Sequence, residues 1–285
     1  MINAMTVDVE DYYHVSAFAD VIDRQHWSGK QSRVVANTTK LLDLFEQKNT
    51  RATFFILGWV AEREPSLIRE IAACGHEIAC HGYSHQLVYR QNPQEFRQET
   101  EKSKSILEDI VQTSVTGYRA ASYSITNESW WALDILCELG FRYDSSVFPV
   151  RHDRYGVPDA CETPHLLETE KGNSLVEFPL TVARFFKLRI PVAGGGYFRI
   201  LPYALTRAGL KQANDQGQPF VFYLHPWEVD PEQPRVNASL LSRFRHYRNL
   251  DKTAPRLSRL LDTFRFDTMQ SVLEGAGLLP PAVAE

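Results

Sequence analysis

Acidic and basic side chains of the kinds used in hydrolytic and metal chemistry stand at the ends of several short apolar runs in this sequence. They are Asp8, Glu10, Asp11, His81, His85, Arg119, Asp144 and His225. In parallel α/β proteins the carboxyl ends of the strands meet at one face, where catalytic groups assemble. Any one of these residues could stand there by chance, but the repeated pattern predicts a common site.

The segment His81-Gly82-Tyr83-Ser84-His85 places two imidazoles four residues apart. If the segment turns helically, both rings lie on one face, which is a common geometry for a divalent metal. Surface or helix-capping histidines are the alternative. A carboxylate from Glu10 or Asp11 would complete an open site of two histidines and one carboxylate, which suits zinc or another first-row metal.

The acidic segment Asp8-Val9-Glu10-Asp11 contains more carboxylates than one metal needs. On an extended strand Asp8 and Glu10 point to the same side, so one could hold the metal while the other takes a proton from water. A solvated acidic turn is the alternative. Arg119 could pair with Asp8 or form a structural ion pair. His225 follows five apolar residues and precedes a proline, and it is either a buried, hydrogen-bonded histidine or a general acid.

Short β-like runs alternate with amphipathic helical patterns along the chain. The predicted strands are Ala4–Val9, Ala52–Gly58, His76–Cys80, Val115–Arg119, Phe141–Ser145, Ser174–Val182 and Pro219–Leu224. The predicted helices are Thr38–Lys48, Ser66–Cys74, a helix capped by Asn92 that runs toward Val111, Asn127–Leu139 and Leu201–Asn214, with two more helical patterns after about Leu240. Repeated βα units predict an α/β fold, either a barrel or a doubly wound sheet, and no Gly-rich phosphate loop supports the sheet.

The composition is typical of a globular protein with a large apolar core: of 285 residues, 44% are hydrophobic and 23% charged, with a formal net charge of −4. The near balance of charge argues against a nucleic-acid binder. The longest strongly apolar stretch, Ala52–Ala61, has about half of the ~20 residues that a membrane-spanning helix needs, which leaves peripheral membrane contact open. The four cysteines form no CxxC pair and the N-terminus does not resemble a secretion signal, so we expect a cytoplasmic protein.

Four segments that together span nearly the whole chain carry a specific resemblance. They are Thr6-Val7-Asp8-Val9-Glu10-Asp11, His81-Gly82-Tyr83-Ser84-His85, Arg119-Ala120-Ala121-Ser122-Tyr123 and Leu224-His225. In this order they resemble the motifs of the NodB-type polysaccharide deacetylases, carbohydrate esterase family four. Further segments, at residues 8–14, 194–199, 225–228 and 246–249, are similar to the subgroup associated with exosortase/PEP-CTERM exopolysaccharide loci. The resemblance implies a deformed (β/α)7 barrel with a C-terminal helical extension.

The resemblance also implies roles for the matching residues. Asp8 would be the general base, Arg119 its partner and His225 the general acid. His81 and His85 would be ligands of one divalent metal, with zinc as the first choice and cobalt, manganese, nickel or iron as alternatives. Leu224 would line the acetyl pocket, and backbone N–H groups near Ser122 and Tyr123 would bind the oxyanion.

Three positions depart from the family pattern. Val9 separates the usual adjacent aspartates, so the third metal ligand could be Glu10 or Asp11, and strand parity favours Glu10. Gly82 replaces the usual serine or threonine and removes a hydroxyl that braces the site. Ala121 replaces the usual proline in the loop that supplies the oxyanion donor.

Aromatic and basic residues near the expected mouth of the barrel offer contacts to a substrate. The aromatic residues are Tyr12, Tyr13, Tyr123, Tyr197 and Trp227. They could stack on sugar faces or pack in the core and rim. A basic stretch at Arg243, Arg245, His246 and Arg248 could bind a diphosphate, although a solvated helix face is the simpler interpretation.

We therefore expect a cytoplasmic metal-dependent N-deacetylase that releases acetate from an N-acetylated sugar or glycan during exopolysaccharide biosynthesis. Residues 1–285 are expected to form one domain, with about 240–285 as a helical extension. An amidohydrolase of the same fold acting on a small amide, and a non-catalytic carbohydrate-binding barrel, are the alternatives. The sequence leaves the sugar, its linkage and the oligomeric state open.

Overall fold

The computed structural model describes residues 1–152, 155–186 and 188–281. The strands are β1 (Ile2–Val9), β2 (Thr53–Ile56), β3 (Glu77–Cys80), β4 (Gly117–Tyr118), β5 (Tyr143–Asp144), β6 (His165–Glu168), β7 (Ser174–Glu177), β8 (Val182–Phe185), β9 (Leu188–Pro191), β10 (Val221–Leu224) and β11 (Arg265–Asp267). The helices are α1 (Val34–Gln47), α2 (Gly58–Arg63), α3 (Pro65–Ala73), α4 (Pro93–Val111), α5 (Trp131–Glu138), α6 (Gly195–Ile200), α7 (Tyr203–Asp215), α8 (Leu240–Tyr247), α9 (Leu250–Thr263) and α10 (Met269–Gly275).

One large sheet organises the molecule, with its strands in the order β10-β1-β2-β3-β4-β5-β7-β6 and with β11 paired to β1. The pairings along this path are parallel except between β6 and β7. Strands β8 and β9 form a separate antiparallel hairpin. The predicted α/β class with a largely parallel sheet is confirmed, whereas the strand order closes no complete barrel within the described residues.

Strand β1 lies inside the sheet, between β10 and β2, and its sequence is apolar enough to be covered on both faces. It pairs with β2 and β10, and all its residues except Ile2 are buried. Val7 and Val9 join the main apolar core together with residues of β2 and α1, such as Phe54 and Leu41. Because the strand is buried on both faces, it holds the polar residues at its carboxyl end in a fixed position at the edge of the core.

The outer edge of β10 is covered by backbone from the loop before α6. Gly194 forms a bridge to Tyr223, and the Tyr223 N–H donates to the carbonyl of Ala193 at 2.7 Å. Gly194 has a φ of +133°, and a Cβ there would lie 1.9 Å from the Tyr223 carbonyl oxygen. Only glycine fits this close approach. The Gly194–Gly196 stretch therefore protects a sheet edge and begins a helix.

Most predicted elements are present, and the largest differences lie where one pattern covers two elements. The predicted strand Ala52–Gly58 ends at Ile56, and Gly58 already begins α2. The predicted run Ser174–Val182 contains the whole of β7 and the first residue of β8. The helix after Asn92 begins as expected, with a capping box that Asn92 forms with Glu95.

Two further differences lie in the second half of the chain. Thr126 rather than Asn127 is the N-cap of the segment that leads into α5. The tail after Leu240 contains three helices and also β11, which returns to the sheet beside β1. The last four residues of the predicted extension lie outside the described residues. Among the helices that are described, none is long and apolar enough to cross a membrane.

Candidate active site

The predicted site residues meet because they follow neighbouring parallel strands. Glu10 comes just after β1, His81 after β3, Arg119 after β4 and His225 after β10. Asp8 is still within β1, paired with Phe55 of β2. Since the strands run in the same direction, their carboxyl ends bring these side chains to one edge of the sheet.

Glu10, His81 and His85 form a buried cluster in which one ligand atom from each lies within 4.8 Å of the other two. The Nδ1 atom of His81 hydrogen-bonds to the carbonyl of Arg119 at 2.8 Å, which fixes the ring and leaves Nε2 for a metal. Glu10 Oε2 lies 3.3 Å from His85 Nε2. The same oxygen is buried and has no hydrogen-bond partner in the described part of the chain. An unpartnered carboxylate oxygen facing an imidazole nitrogen fits a shared cation.

The ionisation of this cluster also suits metal binding. Burial lowers the pKa of His85 to about 4 and also lowers that of His81. Burial opposes ionisation of Glu10, but His85 and His225 outweigh it and hold the pKa of this carboxyl well below its usual range. Near neutral pH the two imidazoles are therefore neutral and the carboxyl is ionised, which are the forms that bind a metal.

Asp11 lies apart from the cluster and organises the neighbouring loop. Its carboxylate accepts hydrogen bonds from the N–H groups of Tyr12, Arg33 and Val34, and from the Ser32 hydroxyl. Of the two carboxylates that the sequence leaves open as third ligand, the structure brings Glu10 to the histidines. Asp11 instead satisfies the first N–H groups of α1.

Asp8 is held by a buried arginine. Arg119 Nη1 donates to Asp8 Oδ1 at 2.7 Å and to the Thr6 hydroxyl at 2.8 Å. Its Nε and Nη2 atoms donate to the carbonyl and the hydroxyl of Ser145 at 3.1 and 3.0 Å. The other oxygen, Asp8 Oδ2, lies 3.5 Å from the Tyr123 hydroxyl and 3.9 Å from His225 Nε2. One carboxylate oxygen is thus fixed and the other faces the site.

His225 is oriented by a second buried ion pair, which the sequence reasoning missed. Its Nδ1 lies 2.7 Å from Glu228 Oε1, and Glu228 Oε2 accepts from Arg199 Nε at 2.6 Å. His225 Nε2 faces Glu10 Oε1 at 3.0 Å. Burial alone would lower the pKa of His225, but the two carboxylates outweigh it and raise the pKa to about 10. His225 and Glu228 are three residues apart in a turn that follows a strand, and this spacing could have predicted their contact from the sequence.

Asp144, one of the polar residues at the ends of the apolar runs, lies away from His225 and has partners of its own. Its carboxylate accepts from the Ser146 hydroxyl at 2.6 Å and from the Ser146 N–H at 3.2 Å. It lies opposite Glu177 on the neighbouring strand. Asp144 therefore belongs to the interior of the sheet, and Glu228 takes the position beside His225.

The loops around the site adopt backbone conformations that few residues favour. Gly82 has a φ of +71°, and its carbonyl accepts from the Ser103 hydroxyl at 2.9 Å. Ser103 thus braces the turn in which the usual hydroxyl residue is replaced by glycine. His85, Ser122 and Tyr123 also have positive φ. Strain of this kind persists where the surroundings fix the backbone, and it clusters at functional sites.

A cavity of about 310 Å³ opens beside the cluster, and Glu10, His85 and His225 form part of its wall. The predicted substrate-binding residues Ser122, Tyr123, Tyr197 and Trp227 line it. The aromatic side chains Tyr155 and Tyr223 also line it, although the sequence reasoning did not select them. Trp227 stacks on His225 with ring centroids 5.1 Å apart.

Three residues selected from the sequence lie elsewhere. The Leu224 side chain packs in the main apolar core, and its neighbour Tyr223 borders the cavity instead. Tyr12 and Tyr13 are buried in a separate aromatic cluster with Trp27. The Tyr123 N–H donates to the carbonyl of Ala120 at 3.1 Å, so this group already has a partner.

The fold and the site define an α/β protein with a candidate metal centre flanked by a carboxylate and a histidine. Residues 28–143 match the family model of the polysaccharide deacetylases, and residues 145–274 match a domain of unknown function (DUF3473). A peptidoglycan-N-acetylglucosamine deacetylase of Bacillus cereus is 43% identical over 70 residues, which cover 25% of this chain and 26% of that protein. A peptidoglycan deacetylase of Helicobacter pylori is 32% identical over 151 residues, 52% of this chain and 46% of that protein. The match to the deacetylase model covers residues 28–143 of this chain, and both curated relatives are named as deacetylases.

Solved structures support the fold over nearly the full length. A polysaccharide deacetylase structure from Mycobacterium smegmatis, described as putative, has a TM-score of 0.63 and 22% identity, covering 99% of this chain and 93% of that one. The structure of PuuE allantoinase has a TM-score of 0.62 and 12% identity, covering 97% and 91%. The chain spans less than half the length of the two curated relatives above.

Proposed function

We propose that this chain is a metal-dependent N-deacetylase that hydrolyses the acetamide of an N-acetylated sugar in exopolysaccharide biosynthesis in the cytoplasm. One observation carries the proposal: the Glu10–His81–His85 cluster, the Asp8–Arg119 pair and His225 meet at one cavity. The family match and the two peptidoglycan deacetylases support a sugar substrate. The exopolysaccharide role rests on the resemblance of the sequence motifs.

We also propose that residues 1–285 form one domain. Strands β1 to β5 and strands β6, β7 and β10 belong to the same sheet, although the two family models meet between residues 143 and 145. The four cysteines are free, which agrees with the proposed cytoplasmic location.

Glu10, His81 and His85 would hold one divalent metal, for which zinc is the first choice. Two imidazoles and one carboxylate are the donor set of open catalytic zinc sites, and the unpartnered Oε2 of Glu10 fits this use. When bound, such a metal polarises the acetamide carbonyl and activates water at neutral pH.

The chain's own residues would move the protons. Asp8 Oδ2 takes a proton from the attacking water as the new C–O bond forms, while Arg119 holds Oδ1 in place. His225, protonated and held by Glu228, gives its Nε2 proton to the amide nitrogen as the C–N bond breaks. Acetate and a free amino sugar result. A general acid is needed because an unprotonated amine is a poor leaving group.

Acetate release from a panel of N-acetylated sugars, glycans and nucleotide sugars tests the proposal. The chelator-treated protein is compared with protein restored with zinc, cobalt, manganese, nickel or iron. We expect metal-dependent acetate release from at least one sugar. Metal-dependent hydrolysis of small amides alone would replace the proposal by a small-amide hydrolase, and a protein that takes up no metal would contradict the catalytic assignment.

Three variants connect the activity to the site. We expect Asp8→Asn to lose about 10²-fold or more in turnover while it retains metal, because the base acts on the substrate water and not on the metal. His81→Ala should lose both metal and turnover. His26→Ala, which changes an exposed histidine of a short helix, is the matched control and should behave as the parent chain. A metal-free and fully active His81→Ala protein would contradict the proposal.

A further inference from the structure

Two exposed elements with large apolar side chains stand beside the site cavity: the tip of the β8–β9 hairpin and helix α8. Phe186 and Leu188 at the hairpin tip are 105% and 68% exposed. Leu240, Leu241 and Phe244 on α8 are 83%, 57% and 50% exposed. Phe186 also has a φ of +55°, which is unusual for a bulky residue. Several exposed large apolar side chains near one opening mark an interaction surface.

Both elements border the same opening. Arg245 of α8 lines the site cavity together with Tyr197 of α6. Phe186 and Leu188 line an adjoining cavity of about 760 Å³ that shares Tyr197 and His152 with the first. A surface that contacts the hairpin tip and α8 together would therefore face the entrance to the site.

The two elements are basic in a chain that is acidic as a whole. The described residues of the hairpin include Arg184 and Arg189, and residues 240–248 contain Arg243, Arg245 and Arg248. Neither segment contains an acidic residue, whereas the net charge of the whole chain is −4. Glu162 pairs with Arg184 and Arg189 at 2.8 and 2.6 Å, which leaves the hairpin positive on balance. The charge is thus concentrated beside the cavity mouth.

We propose that the hairpin tip and α8 dock the mouth of the cavity on the surface of an anionic phospholipid bilayer. Apolar side chains among basic ones suit the headgroup boundary, where the apolar groups enter the acyl region and the basic groups bind anionic lipids. A soluble polyanion would need the arginines but not the exposed apolar side chains. A second copy of this chain would bring a surface of the same positive sign, which opposes pairing.

Cosedimentation with protein-free vesicles tests this surface without any substrate, so its outcome is independent of the proposed deacetylase activity. We expect binding to phosphatidylcholine vesicles that contain about 30% phosphatidylglycerol, and about tenfold weaker binding to pure phosphatidylcholine. Raising the salt from about 0.1 M to 0.5 M should weaken the binding, because the charges are exposed.

Paired substitutions locate the contact. We expect Phe186→Ser with Leu188→Ser, and separately Leu240→Ser with Phe244→Ser, to lower the partition coefficient about tenfold or more. Leu166→Ser, at an exposed leucine of β6, is the matched control and should leave it unchanged. Arg243→Gln should weaken binding to anionic vesicles. Arg69→Gln, which changes an exposed residue of α3, should not. Circular dichroism and thermal melting check that each variant is folded.

Two results would overturn the proposal. One is the lack of binding to anionic vesicles at low salt. The other is binding that both paired variants retain at full strength. Sedimentation velocity of the same proteins tests for self-association. If the parent chain does not bind vesicles but forms a dimer that the paired variants abolish, the surface belongs to a second copy of the chain and the proposal is wrong.

Discussion

Replacing Glu177 by glutamine should stabilise the protein at alkaline pH. Glu177 and Asp144 are register partners on adjacent parallel strands, and both are fully buried. Like charges directly opposite each other destabilise a sheet, so the two carboxyls cannot both ionise at low cost. Burial, followed by the charge of Asp144, raises the pKa of Glu177 well above its usual range, and burial raises that of Asp144 to about 6. The folded protein therefore retains a proton here that the unfolded chain releases.

The sign and the size of the effect follow from this proton. A folded-state pKa above the unfolded value means that this pair contributes most to the free energy of unfolding below pH ~4, and that the contribution is lost as the pH rises through the folded-state values. Glutamine carries no proton that the unfolded chain would release, and one pKa unit corresponds to about 1.4 kcal/mol, so the substitution should recover about 1–3 kcal/mol near pH 8. The glutamine oxygen can still accept the Val147 N–H, which Glu177 Oε1 binds at 3.0 Å. Its amide can replace Oε2, which has no hydrogen-bond partner among the described residues.

Urea unfolding between pH 4 and pH 9 measures this prediction. The stability of Glu177→Gln relative to the parent chain should increase from pH 4 to pH 9, and the variant should be the more stable protein near pH 8. Glu168→Gln, at an exposed glutamate of the neighbouring strand β6, is the control and should follow the parent chain. A Glu177→Gln protein with the parental pH dependence, or with lower stability near pH 8, would refute the shared proton.

Three further predictions concern the site. Glu10→Gln should lower the affinity for zinc about tenfold or more, whereas Asp11→Asn should retain the parental affinity. Equilibrium dialysis measures both affinities, and the reverse order would make Asp11 the ligand. Arg119→Lys should retain metal but lose about 10²-fold in turnover, because lysine cannot reproduce the fork that fixes Asp8; parental kcat would show that Asp8 needs no such support. Glu228→Gln should reduce turnover about 10- to 100-fold without metal loss, with exposed Glu232→Gln as control, and an unchanged pH–rate profile would exclude Glu228 as the group that orients His225.

The sequence was most informative where a local rule acts alone. The helix after Asn92 begins at its predicted cap. The side chains of Asn92 and Glu95 accept hydrogen bonds from the free backbone N–H groups of the first turn, so no distant residue is needed. The buried strand β10 was found because its apolar run is uninterrupted, and β1 because apolar residues occupy four of the six positions from Ala4 to Val9. Their ends in turn predicted the positions of Asp8, Glu10 and His225.

The remaining differences come from contacts between distant segments. Glu10 and Asp11 are adjacent carboxylates that the sequence alone does not distinguish. Asp11 accepts a hydrogen bond from the Arg33 N–H at the start of α1, a contact that appears only in the folded chain. Leu224 and Tyr223 differ in their exposure to the cavity because β10 alternates its faces, and the face depends on the helices that cover it. Arg199 reaches Glu228 from α6, across 29 residues of sequence, so no spacing rule points to it.

The candidate site takes its residues from both segments that match family models and from the residues before them. The segment matched by the polysaccharide deacetylase model supplies His81, His85 and Arg119, whereas Asp8 and Glu10 precede it. His225 comes from the segment matched by the domain of unknown function.

That second segment also supplies Glu228 and Arg199, and it supplies Tyr155, Tyr197, Tyr223 and Trp227 around the cavity. Arg199 further donates to the carbonyls of His246 and Arg248, which ties the end of α8 to the residues behind His225. The proposed acid, its support and much of the cavity wall thus lie outside the residues matched by the deacetylase model. Substrate preference should therefore be sought in residues 145–274, which also supply the proposed acid, whereas the proposed base and metal ligands precede them.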